Sequence, residues 1–170
     1  KLAALFLFTS RGITMISEGQ EFARSKVIPF NEPEEDPQKG MIDHNSYDKD
    51  NETNYINYHH AEINKELVDY YQGLILLRKN LEAFRRANDN DVKVMEFNGN
   101  PFAIGYNLKY KNDEFMVVLN ANPKESLDVD LPSGKWEVLV DENLAGIKPI
   151  STVTDKLILN ISTGIVLKKR

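Results

Sequence analysis

The feature that most constrains this chain is a change of period at Asn88-Asp89-Asn90-Asp91. Before this cluster, apolar residues recur every three or four positions; after it they alternate one by one. A run of Asn and Asp is turn chemistry, so it marks a boundary between residues 1–87 and residues 88–170. Beyond it, seven segments read as strands: 92–97, 102–108, 115–120, 127–131, 135–140, 156–161 and 164–168. Asn98-Gly99-Asn100-Pro101, Lys111-Asn112-Asp113-Glu114 and Pro132-Ser133-Gly134 separate some of them. Short strands at this spacing predict an antiparallel sandwich.

Upstream, residues 61–80 predict a helix, with Ile63, Leu67, Tyr70, Leu74, Leu77 and Leu81 on one face and Glu62, Lys65, Glu66, Asp69 and Lys79 on the other. That stripe is expected to be core. Arg78 and Lys79 suit the negative end of the helix dipole, and Asn80 suits a left-handed cap. Residues 1–10 fit the buried end of a second helix, with a buried strand as the alternative reading. The next stretch, Gly12-Ile13-Thr14-Met15-Ile16, reads as a short buried strand that opens into the polar loop Ser17-Glu18-Gly19-Gln20-Glu21-Phe22-Ala23-Arg24-Ser25-Lys26. Strand ends that open this way are where α/β proteins keep their sites.

Residues 27–58 hold Pro29, Pro33 and Pro37 among acidic side chains and cannot form one regular element. Their second half, from Asp43 to Tyr58, is rich in amides, carboxylates and aromatic rings. Such groups bind sugar hydroxyls and cover the apolar face of a pyranose; they also serve solvated Asx turns.

The segments 12–26 and 45–47 together resemble the alpha-amylase superfamily of glycoside hydrolases. Gly12-Ile13-Thr14-Met15-Ile16 running into Gly19-Gln20-Glu21 resembles its last barrel strand, with Thr14 where proline is frequent. Gly19-Gln20-Glu21-Phe22-x-Arg24-x-Lys26 followed by Asn45-Ser46-Tyr47 is most similar to bacterial type I pullulanases. Leu77-Arg78-Lys79 leading to Ala83-Phe84-Arg85 resembles the end of the barrel's last helix, with Glu82 in place of a proline. The resemblance implies an α/β plus all-β chain: the last strand and helices of a (β/α)8 barrel in residues 1–87, then a β-sandwich C-terminal domain in residues 88–170. It implies an α-glucan ligand, with Asn45, Tyr47, Asp48 and Asn54 on the substrate side and Gln20, Glu21 and Arg24 in the loop at the barrel's end. For the whole protein it implies retaining hydrolysis of α-1,6 glucosidic links by an upstream Asp and Glu. Because the first residue is Lys1, the chain is expected to be an excised C-terminal fragment without those acids, hence inactive. Its first 87 residues are then expected to expose apolar surface that the rest of the barrel covers, and in isolation to be poorly ordered, rearranged or covered by a second copy.

Glu18 and Glu21 are not assigned as the catalytic pair, because glycoside hydrolysis needs carboxyl groups facing each other roughly 5 to 9 Å apart across a cleft. Glu21 is expected instead to anchor the loop through backbone groups or Arg24. Asp48-x-Asp50-x-Glu52 begins like a calcium loop but has Thr53 where glycine is needed and His59 at the bidentate position. Glu34, Glu35 and Asp36 read as a solvated acidic face, with a looser calcium site as the alternative. His59 and His60 are adjacent and do not chelate, and Ser17 lacks the glycine of a nucleophile elbow. No metal or cofactor is expected. A net charge of -5 gives no nucleic-acid footprint, no membrane span is expected, and the absence of cysteine excludes disulfides. The competing functional reading is a non-catalytic carbohydrate-binding or interaction module in residues 92–170, binding glycan through Trp136 and Tyr106.

Overall fold

Eight strands form two antiparallel sheets in a computed structural model that describes residues 1–30 and 38–170. They are β1 (Val92–Val94), β2 (Ala103–Tyr110), β3 (Asp113–Asn120), β4 (Leu127–Asp130), β5 (Trp136–Val140), β6 (Ser151–Val153), β7 (Lys156–Leu159) and β8 (Thr163–Lys169). The larger sheet runs β1-β2-β3-β8-β5-β6, and β4 pairs with β7 in a second. In the β3–β8 ladder Val117 faces Val166 and Met116 faces Leu167.

Side-chain alternation gives each sheet a core face. Met116, Val118, Trp136, Val138 and Leu167 of the large sheet pack with Val129 of β4 and Leu157 and Leu159 of β7. The opposite face of the large sheet is also covered. Phe115 meets Phe84 with ring centroids 5.1 Å apart, and the Gly164 backbone lies against Leu2 and Leu5. Burial on both faces explains why β3 reads Phe115-Met116-Val117-Val118-Leu119 without polar interruption.

The helices are α1 (Leu2–Thr9), α2 (His59–Ile63), α3 (Lys65–Asn80) and α4 (Ala83–Arg86). The chain divides into two units, one made of Lys1–Met15 with Asp69–Arg170 and the other of Ile16–Val68. In the first, α3 buries Tyr70, Tyr71, Leu74 and Leu77. Its Gly73 backbone approaches the Ala145 carbonyl so closely that an added Cβ would sit 2.0 Å from that oxygen. In the second, the 3₁₀ turn Gln20–Phe22 is tied to the α2–α3 junction, where Asn64 donates from Nδ2 to the Phe22 carbonyl at 3.0 Å.

The antiparallel sheets after residue 88 follow the β part of the sequence reading, and residues 2–9 form the helix expected for them. Several local expectations do not survive. The helix expected over residues 61–80 breaks at Asn64 into α2 and α3, leaving Ile63 67% exposed instead of in the core stripe. Asn80 stays helical and donates its side-chain amide to the Leu76 carbonyl at 2.8 Å. The segment expected as a buried strand at residues 12–16 joins no ladder, and Ile13 and Met15 are 102% and 86% exposed. Apolar residues bury as a strand only where another strand supplies hydrogen bonds, and none of the described residues does so here. β6 is an addition to the seven expected strands.

Candidate functional site: the polar cleft of residues 16–68

A cleft of about 560 Å³ opens in the Ile16–Val68 unit, with Ser17, Glu18, Gln20, Arg24, Lys26 and Asp43 among its lining residues. One wall is built by a turn around Gly19, which has φ +87°, followed by the 3₁₀ turn and by Ala23 at φ 59°. Both residues are left-handed, so the chain reverses within five residues and the Arg24 amide donates to the Gly19 carbonyl at 2.9 Å. A side chain at position 19 would meet Arg24 Cβ at 2.7 Å. Glycine is required there for both reasons.

That reversal aims the Arg24 guanidinium across the unit. It donates from Nη2 to the Asn54 carbonyl and from Nη1 to the Glu18 carbonyl at 3.3 Å. The sequence reading expected Glu21 to be held by backbone groups or by Arg24. Glu21 Oε2 and Arg24 Nε are each buried without a hydrogen-bond partner among the described residues. Gln20 accepts from the Ser17 amide at 3.2 Å.

Ile42 and Asp43 also line the cleft, whereas Asn45, Tyr47, Asp48 and Asn54 lie on the loop that follows and are not among its lining residues; the Asp43 side chain is 9% exposed. It accepts from the Asn45 amide at 2.8 Å and from Lys49 Nζ at 2.6 Å. The Lys49 hydrogen bond, followed by that of Asn45, holds its carboxyl below the usual aspartate range. Asn54 closes the loop from inside. Its Nδ2 donates to the Ser46 carbonyl and, at 2.5 Å, to the Lys49 carbonyl, while the buried Ser46 hydroxyl donates to its Oδ1 at 2.9 Å. Tyr47 stands 82% exposed beside the exposed Asn45 and Asp48. Of the four residues expected on the substrate side, three therefore point outward and Asn54 is spent on holding their loop. Tyr55 and Tyr58 are 60% and 66% exposed, the latter with its ring 6.0 Å from that of Phe22.

Among the described residues no group of three or more His, Asp or Glu side chains is arranged to hold a metal ion. Glu34, Glu35 and Asp36 lie outside the described residues. No helix among the described residues is long and apolar enough to cross a membrane. Trp136 and Tyr106 do not present free rings. Trp136 is fully buried with Nε1 donating to the Pro132 carbonyl at 3.0 Å, and the Tyr106 hydroxyl donates to the Thr9 carbonyl at 2.7 Å.

No protein-family model matches the chain. Pullulanase A of Streptococcus pneumoniae is 28% identical over 220 aligned positions, covering 99% of this chain. The crystal structure of the group B Streptococcus pullulanase SAP superposes with a TM-score of 0.83 at 27% identity, covering 99% of this chain and 27% of that one. The same pullulanase in complex with maltotetraose gives 0.81 at 26% identity, again over 99% of this chain and 27% of that one. The relatives of this chain are pullulanases. The chain spans 17% of the length of the curated pullulanases it matches. The pullulanase alignments run well beyond its 170 residues, so those proteins carry segments inserted relative to this one.

Two architectural residues escaped the sequence reading. Arg78, expected as a helix-dipole partner, is 7% exposed and donates to three carbonyls of the α1 exit, those of Phe8, Ser10 and Gly12. Gly73 looks like a weak helix former until its contact with Ala145 is seen. Neither signal is local, so only the folded arrangement exposes it.

Proposed function

We propose that this chain is the C-terminal part of a pullulanase-like glycoside hydrolase that cleaves α-1,6 glucosidic linkages in branched α-glucans. The observation that carries the reading is the similarity to pullulanases along 99% of the chain, one of them solved in complex with maltotetraose. In this reading residues 1–87 supply the last strand and helices of a (β/α)8 barrel, and residues 88–170 form its β-sandwich C-terminal domain. The exposed Ile13 and Met15 support it: they are the side chains that neighbouring barrel strands would cover.

Catalytic carboxylates belong to other parts of the barrel, and this chain contributes recognition. Asn45 and Asp48 bind sugar hydroxyls, Tyr47 covers a pyranose face, and Asn54 holds their loop from behind, with Gln20, Glu21 and Arg24 shaping the barrel-end turn. The experiment is kinetic, in a whole protein that contains this chain. Asn45→Ala and Tyr47→Ala should each lower kcat/KM on pullulan about tenfold, the loss expected from one good hydrogen bond or stacking contact, while activity on linear glucans persists. Unchanged kinetics on every glucan would remove the assignment. The 170-residue chain alone should release no reducing ends from pullulan.

A further inference from the structure

A second cleft, of about 200 Å³, lies on the first unit at the end of the large sheet. Lys93 of β1, Asn107 and Lys109 of β2, Glu114 of β3 and Asp91 line it, and Pro132 from the turn after β4 closes it. Asn107 sits in cross-strand register between Lys93 and the fully buried Met116, so an amide stands where a charged sheet edge meets the apolar core. Its Oδ1 is buried with no hydrogen-bond donor among the described residues. The same fold saturates its other buried strand amide. Asn120 donates to the Glu125 and Asn160 carbonyls and accepts from the Asn122 amide. Asn107 is therefore an exception within this domain, and it lines an open cleft.

The charges around it narrow the ligand. Two ammoniums, Lys93 and Lys109, share the cleft with two carboxylates, Asp91 and Glu114. Glu114 is within 3.5 Å of Lys109 Nζ and 3.4 Å of Lys169 Nζ, and Asp91 accepts from the Asn88 amide at 2.8 Å. An anion would meet the carboxylates and a cation the ammoniums, so neither gains a net partner. A neutral molecule carrying hydroxyls, each both donor and acceptor, matches amide, carboxylate and ammonium together. The torsion of an asparagine amide is soft, so a half-turn presents either of its heads to such a molecule. The volume is about seven waters' worth at roughly 30 Å³ each, room for about one sugar ring.

We propose that this cleft binds a single neutral sugar ring through Asn107, with Lys93 and Glu114 as flanking contacts. It is separate from the cleft of residues 16–68, and its ligand class follows from its own side chains. The test is a two-dimensional amide NMR titration of the 170-residue chain with maltose, and in parallel with sodium sulfate. Saturable maltose shifts at the Asn107 side-chain amide and at residues 91–93 and 107–114 are expected. Asn107→Ala should weaken them at least tenfold. Lys93→Met should weaken them severalfold, and because Lys93 is exposed this variant folds even if the first does not. Maltose shifts absent from this region, shifts unaffected by Lys93→Met, or stronger saturation by sulfate than by maltose would overturn the proposal. Residues 43–54 report the other cleft in the same spectra, so loss of either assignment is read independently of the other.

Discussion

Arg78 donates a 2.6 Å hydrogen bond from Nη2 to the carbonyl of Gly12, sixty-six residues upstream. Its Nη1 serves the carbonyls of Phe8 at 2.8 Å and Ser10 at 2.7 Å. Those oxygens lie at and just past the C-terminal end of α1, where helix carbonyls lack internal partners and the dipole is negative. A buried guanidinium faces a desolvation cost, which lowers its pKa here, and three carbonyls in fork geometry offset it. Arg78→Met would leave those carbonyls without donors, and a loss of about 3 kcal/mol is expected from the cost of unsatisfied buried groups. Arg78→Lys should recover only part, since one ammonium cannot span the fork. Urea unfolding of the two variants checks this; equal midpoints for Met and wild type would refute it.

Gly73 carries the packing of α3 against the loop that follows β5. In an exposed helix, alanine in place of glycine gains about 1 kcal/mol. Here the new methyl carbon would sit 2.0 Å from the Ala145 oxygen and 2.9 Å from its Cβ. Overpacking of this kind costs about 1–3 kcal/mol, so Gly73→Ala should be destabilising despite its better propensity. Gly12→Ala separates the two effects, because nothing lies within 4 Å of that position while its φ is +95°. Backbone strain alone should cost it about 1 kcal/mol. Thermal melts of the pair should place both below wild type.

How much of this was legible in the sequence differs by element. β3 and β8 are legible because Phe115 to Leu119 and Ile165 to Leu167 are unbroken apolar runs that include Phe115, Val117, Val118, Ile165 and Val166. β6 did not, since Ser151-Thr152-Val153 gives one apolar residue and gains its strand from pairing with β5. Ile13, Met15 and Ile16 predict a buried strand, but burial depends on a neighbouring strand, which composition does not encode. At the candidate site, the residue types in 43–58 were visible as sugar-compatible chemistry. The division of labour was not: Asn45 and Asn54 look alike in sequence, yet one is exposed and the other has its amide consumed by Ser46 and Lys49. Only the closure of the loop distinguishes them.

Asp43 makes the stability of that loop depend on acid. Its folded pKa is depressed below 3.8 by hydrogen bonds from Lys49 and the Asn45 amide. A depressed carboxylate pKa contributes stability that is present above the unfolded value and lost as pH falls through the folded one. Amide protection in residues 43–49, relative to the intrinsic exchange rate at each pH, should therefore be high at neutral pH and fall below about pH 4. Asp43→Asn should lower that protection at neutral pH, converge with wild type in acid, and abolish the acid dependence. A flat profile in the wild-type protein would show that Asp43 does not organise the loop.

Tyr106 sets the corresponding limit in alkali for the first unit. Burial raises its pKa from 10.0 to about 12, while the Thr9 hydrogen bond and the nearby Arg78 pull in the other direction. The neutral phenol is the form the folded state keeps, so the unfolded chain loses this proton first as pH rises. The contribution is complete below about pH 10 and declines as pH approaches 12. Tyr106→Phe removes the hydroxyl bonded to Thr9 and should cost about 1 kcal/mol at neutral pH, the worth of one such bond. The difference between mutant and wild type should then shrink above pH 10, because only the wild type carries a phenol to ionise. Urea midpoints measured for both proteins from neutral to strongly alkaline pH decide it, and a difference that widens with alkali would contradict the burial of this hydroxyl.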